Sequence, residues 1–194
     1  MRTKLYADCT CLKTCHHSET TAGFYCVKKI THMYKTLTRL LPLCFFQVST
    51  EVVPYAPMTI IGFMVFQFLV AALSIFQVIP LGVGTVLALI ASLVIPLLAL
   101  RVLTGWYDKA NRWVKMSVAV FGVATIFTIM GLVLLVVPLT LFFALLSLWK
   151  FCVNLKIYRE TLEVSPWVAG CWVFVVEVFS VLPLFAILPD MPLE

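Results

Sequence analysis

The sequence predicts an all-α membrane protein built as a bundle of five transmembrane helices. Its 194 residues are 62% hydrophobic and only 12% charged, whereas soluble domains carry about 25% charged residues. Long apolar stretches follow one another from residue 57 onwards, separated by short turns or polar loops. A chain this apolar has too few polar side chains to cover a surface that faces water. The bilayer is therefore the solvent that its composition predicts.

Five apolar stretches approach the length of about 20 residues that a helix needs to cross a hydrocarbon core of about 30 Å. They cover residues 57–79, 85–103, 116–137, 139–155 and 167–188. Pro80 and the glycines after it end the first stretch, and Pro96 predicts a kink in the second. The apolar run from 116 to 155 is too long for one helix, so we predict a tight hairpin at Pro138.

The basic residues predict the topology, because cytoplasmic loops collect Lys and Arg. Seven of the fourteen precede the first span, four surround the second connection, and three, Lys150, Lys156 and Arg159, surround the fourth. A five-span chain places all of them on one side, whereas a four-span chain scatters them to both. We therefore predict a cytoplasmic N-terminus and a C-terminus outside the cell or in a lumen. The five tryptophans fall near the same interface, and the identity of the membrane stays open.

Residues 1–53 form a predicted cytoplasmic tail ahead of the membrane domain, residues 54–194. The N-terminus lacks the apolar core and cleavage site of a signal peptide. Within the tail, residues 33–48 mix basic and apolar side chains over a length too short to cross a membrane. This pattern predicts an interfacial helix interrupted at Pro42. An ordinary linker is the alternative interpretation of this segment.

Cysteines and histidines of the tail raise the question of a metal site. The residues of zinc-binding type are Cys9, Cys11, Cys15, His16, His17 and Cys26. Cys11 and Cys15 match the first half of a zinc pattern, but no second close pair follows them. We therefore predict reduced cysteines, as is usual in the cytoplasm, and neither a metal nor another cofactor. Cys44 and Cys152 lie near the predicted membrane edge and are candidates for S-acylation.

Two polar residues are predicted to lie at a similar depth inside the membrane. Glu177 is the one carboxylate deep in a span, and Gln67 lies about 15 Å into the first span at 1.5 Å per residue. A hydrogen bond between Gln67 and a protonated Glu177 would tie two helices together. The alternative is a proton- or cation-coupled role for Glu177, because acids within spans are functional candidates by default.

Enzymatic and nucleic-acid-binding classes find no support in the sequence. It has no nucleophile-elbow, zinc-protease or phosphate-loop motif, and no Lys/Arg stripe for nucleic acid. The expected partners are the lipid bilayer and, through helix packing, a second copy or another membrane protein. The expected function is non-catalytic and acts through helix packing and cytoplasmic contacts. A small transporter or channel subunit that uses Glu177 is the alternative.

Two segments and the overall layout carry a family resemblance. Residues 101–114, RVLTGWYDKANRWV, form a short basic stretch with a glycine after the second span, and Trp149 precedes the closing segment 155–159. With five closely spaced spans, two nearly absent external turns and an amphipathic approach, residues 54–189 resemble the Yip-domain family of Ypt/Rab-interacting membrane proteins. The resemblance implies a non-enzymatic protein of membrane trafficking or membrane organisation.

Overall fold

The computed structural model describes residues 34–76, 82–134 and 140–185, and within these ranges the regular structure is helical throughout. Residues 34–44 belong to the first helix, α1. The longer helices are α2 (Pro57–Phe76), α3 (Val83–Trp106), α4 (Trp113–Leu134), α5 (Thr140–Leu162) and α6 (Pro166–Phe185). Two single 3-10 turns, Thr50–Val52 and Ala110–Arg112, precede α2 and α4.

Five of these helices, α2 to α6, are long and apolar enough to cross a membrane. The predicted fold class is confirmed at this level: the protein is an all-helical bundle with the architecture of a multi-pass membrane protein. The predicted turns at Pro80 and Pro138 and the chain after residue 185 lie outside the described residues.

The observed helices are longer at one end of the bundle than the apolar stretches predicted. Helix α5 continues to Leu162, beyond the predicted limit at residue 155, and α3 continues to Trp106. Helix α4 begins at Trp113 rather than at residue 116. The physical reason is that helical hydrogen bonding does not stop where hydrophobicity stops, since Lys, Arg and Glu are good helix formers.

Helix α4 is the most buried of the five long helices. About 56% of its span is buried, against 17–22% for the other four spans. It packs on α2, α5 and α3, while α6 packs on α3 and α5, and α2 also touches α3. The five long helices therefore form a closed ring of contacts, in the order α2, α3, α6, α5, α4 and back to α2.

Helix α1 packs one face on this bundle. Its buried side chains recur at helical spacing on that face: Thr36, Leu40, Leu43 and Cys44. Leu40 touches the α-carbon face of Gly122 in α4, where an added β-carbon would overlap it and would also lie 3.0 Å from Phe63 of α2. The predicted interfacial segment is thus helical in part, but its buried face meets protein rather than lipid. Its position relative to a membrane surface stays a prediction.

The end of α1 is held by a glycine-free capping turn. The Phe46 and Gln47 amides donate to the carbonyls of Leu43 and Pro42, at 3.0 and 2.9 Å, with Phe46 in the left-handed region at φ 59°. This is the Schellman pattern of helix termination. The interruption predicted at Pro42 is therefore displaced, and the helix continues through Cys44 with Pro42 in its last turn.

Three connecting segments meet at one end of the bundle, which we call the basic end. Lys109 and Arg112, between α3 and α4, contact Glu163, which follows α5. The segment between α1 and α2 joins them, because the Thr50 amide donates to Glu160 near the end of α5 at 2.8 Å. The charge distribution predicted this clustering.

Candidate functional site

Each of the five long helices contributes side chains to the lining of a partly open cavity of about 180 Å³. Helix α4 contributes apolar side chains, among them Val120 and Ala124. The polar lining side chains are Gln67 of α2, Ser92 of α3, Lys150, Asn154 and Tyr158 of α5, and Glu177 and Ser180 of α6. A cluster of polar side chains around a partly open cavity, in an otherwise apolar bundle, is the most distinctive feature of the described structure.

An ion pair stands at the centre of this polar lining. Lys150 Nζ lies 2.9 Å from Glu177 Oε1 and 3.2 Å from Glu177 Oε2. Asn154 Nδ2 donates to the same Oε1 at 3.2 Å. Lys150, Asn154 and Tyr158 follow one another at four-residue spacing, so the helix presents all three on one face. Glu177 therefore has a charged and a neutral donor from a single neighbouring helix.

The position of Lys150 refines the sequence analysis, which grouped it with the basic residues around the fourth connection. At about 1.5 Å per residue, Lys150 lies about 15 Å from the first residue of α5 and about 18 Å from the last. Because α5 extends to Leu162, Lys150 lies near the middle of this helix rather than at its end. The acid of α6 thus has a basic partner on α5.

Gln67 has partners of its own on the opposite side of the cavity. Its Nε2 donates to Thr125 Oγ1 at 3.4 Å, and its Oε1 accepts from Thr128 Oγ1 at 3.2 Å. The direct bond to Glu177 considered from the sequence is therefore not the arrangement found, although both side chains line one cavity. The cause is helix order, since α2 packs on α4 and α6 packs on α5.

One side-chain acceptor among the residues that line the cavity lacks a donor among the described residues. Asn154 is only 2% exposed, and its Oδ1 has no partner. Pro96 has no N–H, so it cannot complete the helical bond to the carbonyl of Ser92 four residues earlier. Both Ser92 and Pro96 line the cavity. Most buried polar groups in proteins are hydrogen-bonded, so Asn154 Oδ1 is an exception in the wall of this cavity, and Pro96 interrupts the hydrogen-bond ladder of α3 there.

Sequence reasoning identified Glu177 and Gln67 but missed Lys150 and Asn154 as site residues. A signal was present, because Lys150, Asn154 and Tyr158 are polar residues at i, i+4 and i+8, and the residues between them are apolar except for Lys156. The predicted end of the span at residue 155 separated Tyr158 from the other two and concealed the shared face.

The two candidates for S-acylation differ in accessibility. Cys44 is buried at 3% exposure, and this burial raises the pKa of its thiol to about 11. Acylation requires an accessible thiolate, so the structure argues against Cys44 as an acylation site. Cys152 is exposed on α5 and remains a candidate.

The tail residues considered for zinc, Cys9 to Cys26, lie outside the described residues. Within residues 34–76, 82–134 and 140–185, no three His, Cys, Asp or Glu side chains are grouped so as to hold a metal ion. The prediction of a metal-free tail therefore stays a prediction.

A second charged cluster lies at the basic end. Glu163 accepts from Lys109 Nζ at 2.6 Å and from Arg112 Nη1 at 2.7 Å. These two hydrogen bonds, the Lys109 bond first, lower the pKa of the Glu163 carboxyl below its usual value. The Glu163 side chain is 52% exposed. This cluster clamps the connection before α4 to the connection after α5.

Comparison with known proteins assigns no family, because the chain matches no protein-family description, no curated protein and no solved structure. The resemblance to the Yip-domain family therefore rests on the sequence features alone.

Proposed function

We propose that this multi-pass membrane protein binds a small polar solute in the cavity among its five spans and carries it across the membrane, as a small transporter or a transporter subunit. The observation that carries the proposal is the Lys150–Glu177 ion pair on the cavity wall. Permeation paths need several polar groups that face one space. The cavity meets this requirement with side chains from α2, α3, α5 and α6.

The energetics support a functional rather than a packing role for the pair. Charged side chains within spans are costly, and they usually face a bundle interior or a cavity where they mark a substrate path. A pair of apolar side chains often stabilises a fold as well as an ion pair does. A bundle selected for packing alone gains little from a pair of charges on a cavity wall.

The test is solute flux into proteoliposomes that contain the purified full-length chain. We expect faster influx of at least one class of small polar solute than in protein-free liposomes. Replacing the pair with apolar residues of similar size, Lys150→Met with Glu177→Leu, should return influx to the background while the thermal midpoint in detergent is kept. Equal influx with and without protein for ions, zwitterions and neutral solutes alike would contradict the proposal, and so would full activity of the double variant.

We further propose that the N-terminus faces the cytoplasm and the C-terminus faces the opposite side. The clustering of Lys109, Arg112, Lys156 and Arg159 towards one end of the bundle supports this orientation. A reporter fused at residue 2 should be cytoplasmic, and one fused after Glu194 should not. Two reporters on the same side would overturn the five-span topology.

A role in membrane trafficking, with membership of the Yip-domain family, is the second candidate. The observation that favours it is the exposure at or near the basic end of Arg101 and Arg159, which suits an acidic cytoplasmic partner. A variant with both residues changed to Glu should lose its partners in mild-detergent purification but retain solute flux. Partner capture that survives this change would remove the support.

A further inference from the structure

Helix α1 leads the chain from the basic end into the bundle. On the way in, Leu40 packs against Gly122 of α4. At the end of the helix, the Phe45 ring packs edge-on against Trp149 of α5, with ring centroids 5.2 Å apart. Trp149 in turn contacts Phe127 of α4. Because Phe127 lies farther than Gly122 from the basic end of α4, α1 descends into the bundle as the chain advances.

The chain that follows α1 returns along α5. Beyond the turn, the Phe46 and Val48 carbonyls accept hydrogen bonds from Lys156 Nζ at 3.2 and 2.7 Å. The Thr50 amide then donates to Glu160 at 2.8 Å. Lys156 and Glu160 are four residues apart and so share a face of α5, and Glu160 is the nearer of the two to the basic end. The chain therefore climbs back to the end at which it entered.

The turn at Phe45 lies far from the charged residues of the basic end. Lys115 is the one charged residue of α4, and Phe127 lies about 18 Å beyond it at about 1.5 Å per residue. On α5, Trp149 lies about 16 Å from Glu160 by the same count. Half of a hydrocarbon core of about 30 Å is about 15 Å. In a bundle whose α4 and α5 cross a membrane, the turn thus lies near the midplane.

Side chains of α5 supply hydrogen-bond donors to the backbone of this turn. The Cys44 carbonyl accepts from Trp149 Nε1 at 2.9 Å. Lys156 serves the Phe46 and Val48 carbonyls. A turn in water needs no such donors, because water provides them. At membrane depth, non-helical backbone is tolerated only where protein or a water-filled cavity satisfies it, so these contacts are the ones that a turn inside a membrane requires.

The exposed side chains of α1 and the turn change from polar to apolar along this path. The exposed side chains in the first part of the helix are Lys35, Thr38 and Arg39. Those at the deep end include Leu41, Phe45 and Phe46, and residues 40–50 carry no charge. Side chains of a helix tilt towards its N-terminus, so the two basic ones lead back to the basic end. This gradient matches that of one membrane leaflet, from headgroups to hydrocarbon.

We propose that residues 34–52 form a re-entrant element, which enters the membrane from the basic end, turns near the midplane and leaves on the same side. Its partner is hydrocarbon, because lipid acyl chains cover the exposed apolar side chains of the turn, Phe45 and Phe46, and Leu41 before it. The inference rests on α2 to α6 crossing the membrane and is independent of solute transport. A helix lying on the membrane surface, as predicted from the sequence, is the competing outcome.

The experiment measures the depth of single nitroxide labels on the full-length chain in proteoliposomes. The chain has its seven native cysteines replaced by serine. Phe45→Cys, Val52→Cys and Leu69→Cys then place one label at the turn, at the basic end and in the middle of α2. The native side chains at these positions are 53%, 56% and 54% exposed, so the three sites differ in depth rather than in exposure.

Two relaxation agents report the surroundings of each label, because oxygen concentrates in hydrocarbon whereas a nickel chelate stays in water. The ratio of oxygen to nickel collisions should be several-fold higher at Phe45 and Leu69 than at Val52. A label at Phe45 that resembles the one at Val52 would place the turn at the surface and overturn the proposal. A label at Phe45 that neither agent reaches would mean that protein covers the turn, which also overturns it.

A photoreactive benzophenone amino acid at the same three positions keeps the test valid if the cysteine-free chain fails to fold, since it leaves the native cysteines in place. After irradiation, lipid adducts should form at Phe45 and Leu69 and not at Val52, as measured by the mass of the intact chain. Absence of adducts at Phe45, with adducts at Leu69, would contradict lipid contact.

The return of the chain to its side of entry has a separate test. Tyr34→Cys and Val52→Cys replace exposed residues before and after the turn, and both should react with a membrane-impermeant maleimide from the same side of sealed vesicles. Leu69→Cys should react from neither side. Reaction of the first two from opposite sides would mean that the segment crosses the membrane and would overturn the re-entrant path.

Discussion

Two glutamates of this protein make nearly the same ion-pair geometry in very different surroundings. Glu177 pairs with Lys150 at 2.9 Å, and Glu163 pairs with Lys109 and Arg112 at 2.6 and 2.7 Å. The exposed fractions of the two carboxylate side chains, 41% and 52%, are also similar. What differs is the medium, since Glu163 lies in the polar connection after α5 whereas Glu177 faces a cavity inside the bundle.

The comparison teaches that distance and exposure alone do not rank ion pairs. Solvent-exposed pairs contribute about 0–1 kcal/mol because water and salt screen them. Pairs removed from water attract more strongly but lose hydration, and removal of one partner strands the other. The pair at Glu163 can therefore serve only as a clamp between connections, whereas the pair at Glu177 sets the charge of the cavity wall.

The largest effect is expected from Glu177→Gln, which leaves the Lys150 ammonium without its counterion. We expect the free energy of unfolding to fall by about 1–3 kcal/mol. Removing one partner of a fully buried ion pair costs more, about 3–5 kcal/mol, because no water reaches the stranded charge, whereas a cavity of this size admits water. Adding Lys150→Met should restore most of the lost stability. Chemical denaturation in detergent measures both variants. If Glu177 instead bonded Gln67, the Glu177→Gln change would have almost no effect on stability. An unchanged free energy of unfolding would therefore contradict the Lys150–Glu177 ion pair and the comparison built on it.

A substitution that changes only packing in the same interior sharpens the comparison, because it involves no charge. Gly122→Ala should cost about 1–2 kcal/mol, because its methyl group would overlap Leu40 in a fully buried contact between α1 and α4. Gly131→Ala is the control, since its nearest neighbour, a Phe143 ring atom, lies 3.9 Å away. The Gly122 effect should be independent of salt, and equal midpoints for both variants would contradict it.

An intermediate effect is expected at Lys156, which donates to the Phe46 and Val48 carbonyls at 3.2 and 2.7 Å. Lys156→Met removes these bonds and should cost about 1 kcal/mol, because charged donors make the stronger hydrogen bonds. It should also speed limited proteolysis of the segment between α1 and α2. Lys115→Met is the matched control, and equal cleavage of the two variants would exclude the anchoring role.

The smallest effect is expected from Glu163→Gln, and it depends on pH. The folded pKa of Glu163 is lowered, so its stabilisation is present above the unfolded value of 4.5 and is lost as pH falls through the folded pKa. Glu163→Gln should lower the thermal midpoint slightly at neutral pH and not in strong acid. Molar salt should also remove the difference. A salt-resistant loss as large as that of Glu177→Gln would erase the contrast between the two clusters.

Much of the architecture was predictable, because hydrophobicity and charge act through composition and order along the chain. The apolar stretches predicted five spans, and the clusters of Lys and Arg predicted which connections meet at one end. Helix ends were predicted less well, as α5 shows, because polar residues such as Lys156 and Glu160 continue a helix beyond the apolar stretch. The site was half predicted: Glu177 and Gln67 were identified, and their partners were not.

The sequence by itself determined the class of molecule, the number of long helices and the residues whose burial in a membrane demands a reason. Tertiary structure alone decided that Lys150, rather than Gln67, satisfies Glu177, that α1 packs against Gly122, and that five helices leave a polar cavity between them. The physical reason is that partner choice depends on which helices are neighbours and on how each is rotated. Neither quantity is encoded in the hydropathy of a single helix, because a span that is apolar on every side specifies no preferred face.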